Sequence, residues 1–503
     1  MAPAGGSRRS TRDHPGAAGR DRVAAAAADR CGADRDAYFG GLRRAGGGPE
    51  AEEGRRVRLP RLHRPGGAAR LLRRELELNR PFAPGLYRDV VAVTRGADGR
   101  LALDGPGEPV DWVLRMAPVP AADFLDAVAA AGGLDEARLD ALADAVVAMH
   151  AALPPLAAGT PPPDLAPVLE GNARAALAAG LPAPGVEAWA AAARQALAQA
   201  APRLAARARD GRVRRCHGDL HLGNLCLWQG QVTPFDALEF DEALGTIDTG
   251  YDLAFLLMDL DHRLGRPAAN RVLNRYVARG GDAGLVGCLP LWLSLRAMIR
   301  AHATAGRGAS GQGYLALAEA MLRPAPPRLV AVGGLQGTGK TRLARALAPA
   351  LGAAPGALVL RSDEIRKRQA GVAPEVALPA EAYAPAASAA VFAELAATAT
   401  ATLRAGHAVV ADGVFLRPEE RAAIEAAGEP FTGFWLVAPL PVLQARIAAR
   451  REAGLRAPAQ RDASDADAAV LAAAAARDPG PLGWEVLDTT EDPIPAARKR
   501  LGL

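Results

Sequence analysis

Leu329–Leu347 reads LVAVGGLQGTGKTRLARAL, and its reading decides the fold of everything that follows it. Leu329–Val332 is a short apolar run, the pattern of a buried strand. Gly333 and Gly334 break that run, and from Lys340 onward the residues favour helix, with Leu343, Ala344 and Leu347 on one face. Between strand and helix, Gly334-x-x-x-x-Gly339-Lys340-Thr341 fits the phosphate-binding loop at every fixed position. Glycine lets the backbone amides of Gly337, Thr338, Gly339 and Lys340 close around phosphate oxygens, where the helix N-terminus adds its positive dipole. Lys340 is expected to reach the β- and γ-phosphates of ATP, and the Thr341 hydroxyl to ligate Mg²⁺.

The rest of the composition narrows the possibilities. The chain has 503 residues, room for two to four domains with large cores. Its formal charge of +5 is a weak bias at this length, and lysine occurs only at Lys340, Lys367 and Lys499. With aromatics at 4%, a basic surface with stacking platforms is not indicated, which argues against a nucleic-acid partner. Cys31, Cys216, Cys226 and Cys288 form no CxxC pair and no zinc spacing, as expected of reduced thiols. The N-terminus has arginines but no apolar signal core, and the most apolar later stretch, Leu285–Ala301, carries Arg296 and Arg300 and is too short to span a bilayer. The expectation is a cytoplasmic protein with no membrane partner.

Residues 1–70 are rich in Gly, Ala, Pro and Arg with little periodicity, which predicts disorder or loose structure. Pattern begins at Leu71: a helix over Leu71–Leu78 carrying Glu75, then strands over Leu86–Thr94, Arg100–Leu103 and Val110–Met116. Helices follow over Asp123–Ala131, Leu134–Leu153, Leu165–Ala179 and Gly185–Arg209. The second informative stretch is Val213–Leu260. It holds His217-Gly218-Asp219-Leu220-His221-Leu222-Gly223-Asn224, a strand pair around Gln229-Gly230, and Asp236. Phosphoryl transfer by a kinase-type catalytic loop asks for an Asp that orients or deprotonates a hydroxyl, an Asn five positions on, and an Asp after a hairpin to hold Mg²⁺; Asp219, Asn224 and Asp236 have that spacing.

On these residues Val213–Leu260 resembles the aminoglycoside phosphotransferase/choline kinase-like family. The resemblance implies Asp219 as base, Asn224 and Asp236 as metal ligands, Asp248 and Asp252 as supports of the larger lobe, and Glu75 as the glutamate of the smaller lobe's helix. Their neighbours also suit Asp248 and Asp252 as helix caps or core-bonded acids. The sequence departs from the family at one point. The family pairs that glutamate with a lysine for the α- and β-phosphates, and no lysine precedes Lys340. Arginine is a poor replacement for a compact point charge there. Two readings follow: a degenerate, substrate-binding kinase-like domain, or an aberrant reading of the chain over residues 1–70.

Helices over Asn270–Arg279, Leu285–Ala303 and Tyr314–Leu322 close this domain, and the stiff Arg323-Pro324-Ala325-Pro326-Pro327 linker precedes the second. The expected division is 1–70, 71–322, a linker over 323–328, and 329–503. In the last of these, a strand over Ala357–Leu360 runs into Arg361-Ser362-Asp363-Glu364-Ile365-Arg366-Lys367, and an acid at the C-terminal end of a parallel strand faces the ligand crevice. Asp363 is therefore the candidate general base and Arg366 a ligand of acceptor or phosphate. A long helix is expected over Ala380–Leu403, with Tyr383 at its opening, and a strand over Ala408–Val410 delivers Asp412, a Walker-B-like carboxylate near Mg²⁺ directly or through water. A helix over Pro441–Arg451 places Arg446 and Arg450 on one face, and with Arg456 and Arg461 they suggest a lid that stabilises transferring phosphoryl charge.

Alternating strands and helices give a parallel sheet with right-handed crossovers. The motifs GLQGTGKT, RSDEIRK, VVADGVF and the arginine/DASDAD segment resemble the small P-loop kinases: gluconate kinase, zeta toxin and the kinase domain of polynucleotide kinases. In this order, the two halves resemble the bacterial bifunctional aminoglycoside phosphotransferase-like/ATP-binding proteins. The fold class expected is thus a protein-kinase-like domain followed by a P-loop NTPase parallel-sheet domain. The resemblance implies ATP and Mg²⁺ and a kinase acting on a small hydroxyl-bearing molecule. A nucleotide-driven switch and a nucleic-acid-end kinase are the competing readings.

Overall fold

The computed structural model describes residues 56–58, 65–157, 159–456 and 462–503. Expectations for residues 1–55 and 59–64, and for Arg461, lie outside the described residues.

The first domain opens with β1 (Arg56–Arg58) and α1 (Pro65–Asn79), followed by β2 (Tyr87–Arg95), β3 (Leu101–Leu103) and β4 (Glu108–Met116). They form an antiparallel sheet of order β1-β4-β2-β3. The first helix starts six residues before the sequence pattern suggests. Gly66 and Gly67 weaken the helical signal, but Ala69 and Leu72 are buried and packing overrides propensity. A helical lobe follows: α2 (Leu125–Ala130), α3 (Glu136–Ala152), α4 (Ala166–Ala178) and α5 (Ala183–Arg209). Next come β5 (Val213–Arg215), the hairpin of β6 (Leu225–Trp228) and β7 (Gln231–Pro234), α6 (Glu242–Gly245) and β8 (Thr246–Asp248), which pairs with β5. Helices α7 (Thr249–Leu264), α8 (Arg266–Gly280), α9 (Leu289–Ala305) and α10 (Gln312–Met321) complete the lobe. Asp248 caps α7 by accepting the Gly250 amide at 2.7 Å.

The second domain runs β9 (Leu329–Gly334), α11 (Lys340–Leu347), β10 (Leu358–Arg361), α12 (Ser362–Gln369), α13 (Pro385–Arg404), β11 (Val409–Asp412), α14 (Pro418–Glu425), β12 (Phe431–Val437), α15 (Leu440–Arg456), α16 (Ala468–Ala475), β13 (Glu485–Asp488) and α17 (Ile494–Leu501). Its five strands are all parallel, in the order β10-β11-β9-β12-β13. Val330, Val332, Val359, Val410 and Phe434 bury one face under α11 and α17. Leu329, Ala331, Leu360 and Ala411 bury the other against α13, in a core continuous with that of the first domain. Among the described residues α13 is the one helix long and apolar enough to cross a membrane, yet Val391, Phe392, Leu395, Ala399 and Leu403 are buried.

Helix α8 joins the domains. Its Asn274 treats the open edge of the parallel sheet as a neighbouring strand would: the Val359 amide donates to Asn274 Oδ1 at 2.6 Å and Asn274 Nδ2 donates to the Ala357 carbonyl at 3.2 Å. Asn270 adds a bond to the same carbonyl at 3.0 Å. Arg275 and Arg279 donate to Glu375 at 2.9 and 2.7 Å while pairing with Asp144 on α3. An edge strand left bare is a pairing hazard, and α8 covers it.

Candidate active site

The turn from β9 into α11 leaves the sheet at its C-terminal edge. Gly334, Gly337 and Gly339 adopt φ of +130°, +84° and +90°, a region that suits glycine. A Cβ at Gly334 would overlap the Leu436 carbonyl of the adjacent strand, and one at Gly337 would meet the Leu443 carbonyl at 2.9 Å. Lys340 folds back over the loop, donating to the carbonyls of Gly334 at 3.0 Å and Leu335 at 2.9 Å. Thr338 Oγ1 donates to the Leu335 carbonyl at 2.7 Å. At the loop's end, Thr341 Oγ1 donates to Asp412 Oδ2 at 2.5 Å. A hydroxyl and a carboxylate side by side are hard oxygen donors suited to Mg²⁺, and the glycine cradle excludes side chains where phosphate oxygens would lie. The residues fit a nucleotide triphosphate with its metal.

Asp363 lies in the first turn of α12. Burial pushes its carboxyl above the ordinary value and Asp462 and Asp412 add to the effect, against the pull of Arg361 and Lys340. A raised carboxyl beside a cation is the environment of a general base. Burial likewise pulls the Lys340 ammonium down, while Asp412 and Asp363 act to hold it up.

Arg361, which the motif reading passed over, organises this cluster. It is buried and faces three acids: Glu364 at 2.9 Å, Asp412 at 3.3 Å and Asp462 at 3.2 Å. Lys367, also buried, pairs with Asp465, whose carboxylate further accepts Tyr383 OH at 2.7 Å and the Leu378 amide at 3.0 Å. These two ion pairs fasten the segment around Asp462 and Asp465 to the end of β10, which carries Arg361, and to α12, which carries Asp363 and Lys367.

The arginines divide. Arg446 donates to Thr489 Oγ1 at 3.0 Å and to the Gly337 carbonyl at 3.4 Å, so it reaches the phosphate loop itself. Arg450 donates to the Ala466 carbonyl at 3.3 Å, on the fastened segment. Arg366 instead grips the turn before α13, donating to the Ala382 carbonyl at 2.6 Å and Ser388 Oγ at 3.3 Å, with its guanidinium 4.7 Å from the Tyr383 ring. Arg456 is exposed and pairs with Glu452.

The first domain assembles a second constellation. His217 Nδ1 accepts from the Asp219 amide at 3.3 Å and its Nε2 donates to the Phe235 carbonyl at 2.8 Å. Burial lowers its imidazole from the usual value. Asn224 Nδ2 donates to Asp219 Oδ2 and to its carbonyl, both at 2.9 Å, which turns Asn224 Oδ1 to the other side. The Phe235 amide donates to the Asn224 carbonyl at 3.0 Å, placing Asp236 next in line. Asp236 has φ of +63°, and its amide donates to Tyr87 OH at 2.9 Å; the Ala237 amide donates to Asn79 Oδ1 at 2.9 Å. Tyr87 and Asn79 thus bind the smaller lobe to the candidate metal-side loop, contacts of more than 140 residues' separation that no local pattern announces.

Beneath the loop, Asp252 accepts the amides of Gly218 at 2.8 Å and His217 at 3.1 Å, and His150 Nε2 at 3.1 Å. Arg296 donates to the Gly218 carbonyl at 3.1 Å. Cys216 stands with His150 and Asp252, their ligand atoms within 4.8 Å of one another, but burial holds its thiol well above the usual value and Sγ donates to the Ile247 carbonyl. Glu75 is buried on α1. Strand β1, which precedes α1, has the sequence Arg-Val-Arg.

Fold and site together give two domains, each with a cluster of acids and donors suited to phosphate chemistry. Residues 50–285 match the family described as phosphotransferase enzyme family, and residues 329–479 match the AAA domain. The chain is 32% identical over 291 residues to the uncharacterized protein Rv2004c of Mycobacterium tuberculosis (strain ATCC 25618 / H37Rv) and to the uncharacterized protein Mb2027c of Mycobacterium bovis. The match covers 54% of this chain and 56% of each relative, so the chain spans about half the length of the curated relatives it matches. Among solved structures, a sugar kinase from Janibacter sp. HTCC2649 is similar over 35% of this chain and 95% of its own, at 22% identity and a TM-score of 0.26. A gluconokinase from Sinorhizobium meliloti 1021 is similar over 36% and 92%, at 19% identity and a TM-score of 0.24.

Proposed function

We propose that the protein is an ATP-dependent phosphotransferase acting on a small hydroxyl-bearing molecule, with ATP and Mg²⁺ held at the phosphate loop of the second domain. The observation that carries this reading is the Thr341–Asp412 oxygen pair at 2.5 Å, with Lys340 and Asp363 in the same charge cluster. Bound Mg²⁺ would supply charge neutralisation across the phosphate oxygens. The chain's own residues do the rest. The amides of Gly337, Thr338, Gly339 and Lys340 bind phosphate oxygens, and Lys340 turns from the Gly334 and Leu335 carbonyls to do the same. Thr341 and Asp412 hold the metal. Asp363 accepts the proton of the acceptor hydroxyl. Arg446 and Arg450 offset charge at the loop and along the fastened segment.

For the first domain we propose the same class of chemistry at a second centre, with Asp219 as base and Asn224 and Asp236 as metal ligands. The Asn224 amide favours it: Nδ2 is spent on Asp219, which leaves its oxygen side for a cation.

The test is ATP consumption by the full chain against sugars, amino sugars, nucleosides and oligonucleotides, repeated with Lys340→Ala and with Asp219→Asn. Acceptor-dependent turnover that Lys340→Ala abolishes supports the assignment. Slow hydrolysis indifferent to every acceptor supports a nucleotide switch instead. Turnover confined to oligonucleotides, weakening steeply with salt, supports a nucleic-acid-end kinase.

A further inference from the structure

The turn that carries Asp219 and Asn224 also carries His221, whose Nε2 is buried and has no hydrogen-bond partner among the described residues. The residue is only 6% exposed. Its ring is held on two sides: Nδ1 accepts the Gly223 amide at 3.0 Å, capping the turn Leu222–Asn224, and Phe255 packs against the ring with centroids 5.3 Å apart. An amide can only donate, so the lone pair lies on Nδ1 and Nε2 carries the proton. That N–H faces the candidate base, with Nε2 3.5 Å from Asp219 Oδ2. This is longer than a hydrogen bond, and hydrogen bonds at reacting groups tighten when substrates arrive.

Capping alone explains Nδ1. It does not explain why a donor is buried opposite a carboxylate without closing on it, an arrangement that is costly in an ordinary core. We infer that His221 is a positioning residue for Asp219: its Nε2–H is the second donor to Oδ2, beside Asn224 Nδ2 at 2.9 Å. Two donors converging on one oxygen from a single turn fix the plane of the carboxylate. The inference rests on the reading of Asp219 as base, but its test does not depend on turnover.

The test is nuclear magnetic resonance of the full chain with ¹⁵N-labelled histidine and ¹³C-labelled aspartate. His221 is expected as the Nε2–H tautomer, with an Nε2–H resonance that Asp219→Asn displaces. His221→Asn keeps an oxygen for the Gly223 amide, but its N–H ends one bond short of the Nε2 position, and it is expected to displace the Asp219 carboxyl resonance. His221→Gln, one bond longer, presents its N–H at the ε position and should return that resonance toward its original position. An Nδ1–H tautomer, or an Nε2–H resonance indifferent to Asp219→Asn, overturns the inference. Failure of the kinase assay would leave these signals unchanged, so the two failures are distinguishable.

Discussion

Replacing Asp252 by asparagine should destabilise the first domain far more than its near-isosteric shape suggests. Asp252 is fully buried and gathers three N–H groups: Gly218 N at 2.8 Å, His217 N at 3.1 Å and His150 Nε2 at 3.1 Å. An amide can present its oxygen to one side only. Its NH₂ must then face one or two donors across a dry interface, and the charge that strengthens all three bonds is lost. Removing one partner from such a buried charged group costs about 3–5 kcal/mol, which for a domain of this size is a fall in the melting midpoint of roughly 6–20 °C. The pH dependence adds a check. Burial opposes ionisation of Asp252, yet the hydrogen bond and charge of His150, with His217 and Arg296, outweigh it and hold the carboxyl below its ordinary value. A depressed acid contributes stability above its unfolded pKa of about 3.9 and loses it as pH falls through the lower folded value. The gap between native protein and variant should thus be full near neutral pH and narrow below about pH 4. Calorimetry of the full chain reads both. A midpoint for the first domain's transition within about 2 °C of the native protein at pH 7 would refute the reasoning.

Two glycines of the phosphate loop should differ sharply. Gly334→Ala drives a Cβ into the Leu436 carbonyl and should lower both the second domain's melting midpoint and its ATP affinity. Gly339→Ala has open space and is charged only the strain of φ at +90°, about 1–2 kcal/mol; equal effects in calorimetry would contradict the packing argument. Asn274→Ala strips the edge of β10 and strands the Val359 amide, which should destabilise the domain contact by about 1–3 kcal/mol. Faster hydrogen exchange at the Val359 amide is the expected signature, and native-like protection there would count against the role given to α8.

What the sequence made legible was what a short spacing can encode. The phosphate loop, the Asp219–Asn224–Asp236 series and the alternation of strands and helices all have local signatures, because glycine, a catalytic acid and an apolar period each act over a few residues. Arg361 is the counterexample. It sits inside a motif, yet its significance comes from Asp412 and Asp462, about 50 and 100 residues away. Asn274 is ordinary in sequence and gains meaning only where β10 passes it. The start of α1 was hidden by two glycines, whose helix-breaking tendency is overruled by the burial of Ala69 and Leu72. Arg366 is expected from its motif to bind acceptor or phosphate, and its hydrogen bonds to Ala382 and Ser388 are contacts that the motif does not announce.

The most direct measurement of the central proposal is isothermal titration of the full chain with ATP, with and without Mg²⁺, alongside Lys340→Ala. The account predicts binding that strengthens with Mg²⁺ and a loss on Lys340→Ala of about tenfold or more, the value of one charge-assisted hydrogen bond. ATP binding with equal affinity in both proteins and without regard to Mg²⁺ would contradict it.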